Sequence, residues 1–163
     1  MERCDQCGFD GEGWTDAGAI EAVGTLPTRW VEAVSGLTPD ELHRRPVVAM
    51  WSIAEYVDHV REVLFGMGFL LDTAITQPGA DLGKAPEPRF DPEPRLIEVD
   101  SALAGIDREA TSLRDRLFQL PPTRWSTKTI VDGNEIDAHW IARHAIHDAT
   151  HHLLDVEQLR AAL

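Results

Sequence analysis

An all-α fold, a bundle of four long helices with one long connection between them, is what this 163-residue sequence predicts. Three observations carry the prediction. Apolar residues recur at helical spacing over most of the chain, no run alternates apolar and polar residues as a half-buried strand would, and prolines gather in one stretch rather than being scattered through the periodic segments.

The first helix is expected from about Asp16 to Ser35, with Ile20, Val23, Leu26, Trp30 and Val34 on one face. Pro27 lies inside that span, so the sequence predicts a kink or a later start. Thr38-Pro39-Asp40-Glu41 then has the form of a capped helical turn, with Thr38 as N-cap, Pro39 at the first helical position and Glu41 completing a capping box. Ser52 and Glu55 repeat that box at the start of a second long helix, whose core face is Ile53, Tyr56, Val57, Val60, Leu64 and Met67.

Residues 77–94 hold five of the ten prolines and read as a long surface connection, which permits a crossover between helices. A third helix is expected from about Arg95 to Leu120 with the stripe Leu96, Val99, Leu103, Ile106, Leu113 and Leu117, stopped by Pro121-Pro122. Asp132-Gly133 marks a turn within a loop from Trp125 to Glu135, and the last helix runs from about Asp137 to the end. The organisation is therefore a cysteine-bearing N-terminal segment, residues 1–15, and one bundle domain, residues 16–163.

Composition narrows the function classes. A net charge of −13 with no clustered basic stripe would repel phosphate backbones and anionic headgroups, which argues against nucleic acid and membrane surfaces as partners. No apolar stretch approaches the ~20 residues of a spanning helix, and the N-terminus lacks the apolar core of a secretory signal, so a cytoplasmic protein is expected.

The chemistry gathers on histidine. On the last helix, Trp140, His144, His147, His151, Leu154 and Gln158 share one narrow arc, read as the inward face, while His139 and His152 point away from it, and His152 is expected at the surface or an interface. His147 and His151, one turn apart, can chelate one divalent ion. His59 on the second helix is the available third donor, since bundle metal sites are built from facing helices. A bound cation would also satisfy imidazole nitrogens that burial would otherwise orphan. Zinc is the expected ion, with nickel and iron compatible with imidazole ligands. His144 is assigned beside the ligands rather than to the ion. Glu55, Asp58 and His144 are the candidate proton acceptors, with Glu55 and His144 taken as the catalytic pair; Glu55 or Asp148 could alternatively orient an imidazole.

Trp51-Ser52-Ile53-Ala54-Glu55-Tyr56-Val57-Asp58-His59-Val60 and His144-Ala145-Ile146-His147-Asp148-Ala149-Thr150-His151-His152 together resemble the two signature helices of the DinB/YfiT-like superfamily. The resemblance spans most of the chain after Asp16. It implies a four-helix bundle with a long crossover, and one divalent ion on His59, His147 and His151. It also implies membership of a group that includes metal-dependent thiol S-transferases and a mycothiol-dependent isomerase domain. A thiol S-transferase, with a low-molecular-weight thiol as co-substrate and a small thiol or electrophile as partner, is the leading expectation. A metal-dependent hydrolase activating water and a non-catalytic, metal-stabilised stress or binding protein are the alternatives, and a homodimer is the assembly expected.

Cys4-Asp5-Gln6-Cys7-Gly8 has the form of half a zinc knuckle and lies outside the resemblance. A second, structural zinc completed by histidines ranks ahead of a redox pair or idle thiols. The cysteine pair is expected to be separable from the ion on His59, His147 and His151.

Overall fold

The structure is a computed structural model, and it describes residues 2–47, 49–85 and 90–163. Four long helices form the bundle: α1 (Asp16–Val34), α3 (Ile53–Thr76), α4 (Val99–Gln119) and α5 (Ala138–Ala162), with the short α2 (Pro39–His43) packed on α3. Each of α1 and α3 lies against both α4 and α5, so the order around the bundle is α1, α4, α3, α5: α1 stands diagonally opposite α3 and α4 opposite α5, whereas α3 and α4, consecutive in the chain, are neighbours. A long connection joins α3 to α4; part of it, residues 86–89, lies outside the described residues. Among the described residues no helix is long and apolar enough to cross a membrane.

Side-chain caps set the helix starts. Thr15, Ser52 and Asp137 accept the N–H of Gly18, Glu55 and Trp140 in turn, and both expected capping boxes form, Thr38 with Glu41 and Ser52 with Glu55. Helix α1 starts at Asp16 and continues through Pro27. The expected face of α3 is buried throughout.

Helix α4 starts later than the sequence predicts, at Val99, and Leu96 is almost wholly exposed. The four residues before it are held extended by tertiary contacts: the Arg95 N–H donates to Glu55, its guanidinium donates to Asp58, and the Ile97 carbonyl lies 2.9 Å from Nε2 of His43.

Two antiparallel hairpins correct the expectation of no strands. β3 (Lys128–Val131) and β4 (Asn134–Asp137) are joined by Asp132 and Gly133, both at positive φ, the conformation that a two-residue hairpin turn requires. Residues 79–83 of the connection lie along β3, with Ile130 N–H donating to Ala80 O and Leu82 N–H to Ile130 O. β1 (Arg3–Cys4) pairs with β2 (Phe9–Asp10) across the cysteine turn.

The core is mainly aliphatic: Leu26 and Trp30 of α1, Leu64 and Leu71 of α3, Ile106 and Leu113 of α4, and Ile141 and Leu159 of α5 are all sealed from solvent. On α5 the buried arc is Ala138, Ile141, Ala142, Ala145, Ala149, Leu153 and Val156. At about 100° per residue the arc of His144, His147 and His151 stands roughly opposite, so it is the outer flank of α5 and not its inward face. It is half-buried because the N-terminal segment roofs it. Arg143 fastens that roof, donating to the carbonyls of Gly11 (3.0 Å) and Trp14 and to Asp16 (3.1 Å).

Candidate metal centre

The expected triad is divided between two clusters on neighbouring flanks of the same two turns of α5. His59 meets Asp148 and His152, whereas His147 and His151 meet Cys4 and Cys7; in each group the candidate ligand atoms lie within 4.8 Å of one another. The motif His147-Asp148-Ala149-Thr150-His151-His152 contains two i, i+4 pairs one residue out of phase, 147 with 151 and 148 with 152. Helical spacing allows both to chelate. The rotation of α5 in the bundle turns the 148/152 pair to α3 and the 147/151 pair to the N-terminal roof.

In the first cluster, Nε2 of His59 lies 3.6 Å from Oδ1 of Asp148 and Nε2 of His152 lies 3.8 Å from its Oδ2. Both separations are too long for hydrogen bonds and are of the size expected for donors that share an ion. His152, expected at the surface, is half-buried because its angle on α5 is close to the buried arc. Asp155 lies 2.7 Å from its Nδ1, which leaves Nε2 to face the cluster. Trp51 and Tyr56 wall this side, with ring centroids 4.9 Å from His59 and 5.0 Å from His152 respectively. Burial raises the pKa of Asp148, but the facing imidazoles of His59 and His152 outweigh it and hold the carboxyl below its ordinary value.

In the second cluster, Sγ of Cys4 lies 3.6 Å from Nδ1 of His151. The cysteines sit on a tight turn in which Gly8, at φ +72°, donates its N–H to the Cys4 carbonyl. The Cys4 thiol is lowered to about 6, first by a backbone hydrogen bond from Cys7 and then by the His147 side chain, while burial pushes Cys7 up. Glu2 lies beneath, with Oε1 2.8 Å from Nδ1 of His144 and Oε2 3.3 Å from Nδ1 of His147. His144, stacked on Trp140 and bonded to Glu2, makes a further candidate donor group with Glu2 and His147, and lies outside both the four-donor group and the His59 cluster. The signal for this pairing was present in the chain, since half a knuckle needs two more ligands and 147/151 offers two.

Both clusters carry an orphaned atom. Among the described residues three buried side-chain polar atoms lack a hydrogen-bond partner, and two of them are Nε2 of His147 and Oδ1 of Asp148. Buried polar atoms are rarely left unpaired, so an orphan in each donor group is what a site for a cation would present.

Glu55 belongs to neither cluster. Its carboxylate accepts from the Ser52 N–H and hydroxyl, from Arg45 and from the Arg95 N–H. Burial alone would raise its pKa, yet these donors, Arg45 foremost, hold it at about 2. A carboxylate so fully occupied anchors the start of α3 and is not a base. Asp58 is likewise paired, with Arg61 and Arg95. His139 stands on another flank, 2.9 Å from Asp16.

Comparison with known proteins agrees with the fold. The family model described as the DinB superfamily matches residues 23–156. Among solved structures, a Bacillus subtilis protein described as "YfiT from Bacillus subtilis is a probable metal-dependent hydrolase with an unusual four-helix bundle topology" superimposes with a TM-score of 0.79 at 12% identity, covering 99% of this chain and 92% of that one. No curated protein matches the sequence.

Proposed function

The chain belongs to the DinB superfamily, and on that premise we propose a metal-dependent enzyme whose reactive ion is held by His59, Asp148 and His152. The observation that carries this reading is the buried, unpartnered Oδ1 of Asp148, with an imidazole beyond hydrogen-bonding distance on either side of its carboxylate. Three protein donors are the number that catalytic sites use, because one coordination position stays free for a reactant. A divalent ion bound there would supply the positive charge that brings water or a thiol to its reactive, deprotonated form near neutral pH.

The chain's own groups do the positioning. Asp155 fixes the ring of His152, Asp148 spreads its charge between two imidazoles, and Trp51 and Tyr56 shield one side from water. Burial, and then the charge of Asp155, push the Tyr56 hydroxyl up to about 12, so it stays protonated and acts as a wall, not a base.

The donor set favours hydrolysis. Two imidazoles and a carboxylate form the ligand set of hydrolytic zinc peptidases, and the anionic ligand leaves less net charge to stabilise a soft thiolate than three neutral imidazoles would. The similarity to YfiT, described as a probable metal-dependent hydrolase, supports the same choice. Thiol S-transfer with a low-molecular-weight thiol is the second reading, supported by the sequence resemblance and by the same free position.

Metal analysis of protein purified without a histidine tag tests the site. His59→Ala, Asp148→Asn and His152→Ala should each lose an ion and any ester- or amide-cleaving activity, and His139→Ala should lose neither. Full metal content in all four variants would overturn the assignment. Turnover that appears only when a small thiol is added would replace the hydrolase reading by the transferase.

A further inference from the structure

We propose that Cys4, Cys7, His147 and His151 form a closed structural zinc site that rivets the N-terminal β1–β2 hairpin to the outer flank of α5, separate from the ion on His59, Asp148 and His152. Zinc bonds of about 2.3 Å to sulfur and about 2.0–2.1 Å to nitrogen, set at the tetrahedral angle, place the two donor atoms about 3.6 Å apart. Cys4 Sγ and His151 Nδ1 are separated by 3.6 Å.

Nε2 of His147 is buried without a partner while its other ring nitrogen faces Glu2, and a carboxylate behind a ligating imidazole is the usual way of fixing its tautomer and direction. Phe9 of the same hairpin stacks on the His147 ring at 4.6 Å, which holds its plane.

Two residues between the cysteines and three between the histidines are structural-zinc spacings, and two thiolates with two neutral imidazoles cancel the charge of the ion in a half-buried place. Four protein donors leave no free position. The ion here would hold structure and take no reactant.

The energetic consequence falls on the roof. A hairpin of two-residue strands is not stable alone, and the four-donor bond would supply what the β1–β2 pairing cannot. Since His147 and His151 each precede a donor of the other cluster by one residue, the rivet also braces the two turns of α5 that carry Asp148 and His152.

Cobalt substitution separates the two ions. The wild-type protein should bind two equivalents of zinc, and its cobalt form should show a sulfur-to-metal charge-transfer band. Cys4→Ser, Cys7→Ser and His151→Ala should each abolish the band and one equivalent of zinc, whereas His59→Ala and His152→Ala should keep the band. In the cysteine variants, limited proteolysis should remove the segment before Asp16 and leave the bundle intact. Wild-type protein with no such band, or a Cys4→Ser/Cys7→Ser double variant with undiminished zinc, would overturn the proposal. Neither result would bear on the His59 cluster, which contains no sulfur.

Discussion

Glu55→Gln tests how the start of α3 is held. The side chain is 1% exposed and takes its donors from Arg45, Ser52 and the Arg95 backbone, which together bring its pKa from an ordinary 4.5 to about 2 despite the opposing effect of burial. A carboxyl lowered on folding adds stability that is fully present above its unfolded value and is lost as pH falls through its folded value. The difference, at about 1.4 kcal/mol for each pH unit, is worth about 3 kcal/mol at pH 7. Glutamine keeps the shape but cannot ionise, and it leaves Arg45 facing a neutral partner. Urea denaturation should find the variant less stable by about 3 kcal/mol at pH 7, the gap narrowing to roughly half of that at pH 3 because the carboxylate of the unfolded wild type takes up its proton while the folded one stays ionised. A gap that stays constant between these pH values would refute the ionic reasoning, and a gap at pH 7 below about 0.5 kcal/mol would place Glu55 among ordinary surface groups.

Leu113→Ala empties a fully enclosed position between helices and should cost about 2–5 kcal/mol in urea denaturation, with helical circular dichroism retained at low denaturant. Gly133→Ala forces a side chain into φ +73° at the β3–β4 turn and should cost about 1 kcal/mol, read as a lowered melting temperature with unchanged metal content. Ser52→Ala removes one half of the α3 capping box and should cost about 1 kcal/mol, whereas a cost near zero would mean that Arg45 and Glu55 hold the helix start without it.

Helix identity and most boundaries were legible in the sequence because they depend on neighbours in the chain. Apolar residues at helical spacing named the faces of α1 and α3, and Thr15, Thr38, Ser52 and Asp137 cap where they stand because a cap is a contact over three residues. The start of α4 was not legible, since Glu98 makes no side-chain cap and the preceding residues are claimed by Glu55, Asp58 and His43, between 37 and 54 positions away. The β3–β4 hairpin carried a local signal in Asp132-Gly133, but strands of four residues are too short for alternation to outweigh the helical pattern around them.

The candidate metal donors divide the same way. That histidines on α5 would matter, and that a half-knuckle of cysteines needed further ligands, could be read from residue type and spacing. Helical periodicity fixes the angle between residues 147, 148, 151 and 152 but not the rotation of the helix in its bundle. That rotation was decided by a buried arc of alanines, isoleucine, leucine and valine, and by the N-terminal roof that Arg143 fastens across more than 125 residues of chain. The result turned Asp148 and His152 toward His59 and left His147 and His151 for the cysteines, because only the packed structure settles which flank of α5 each partner can reach.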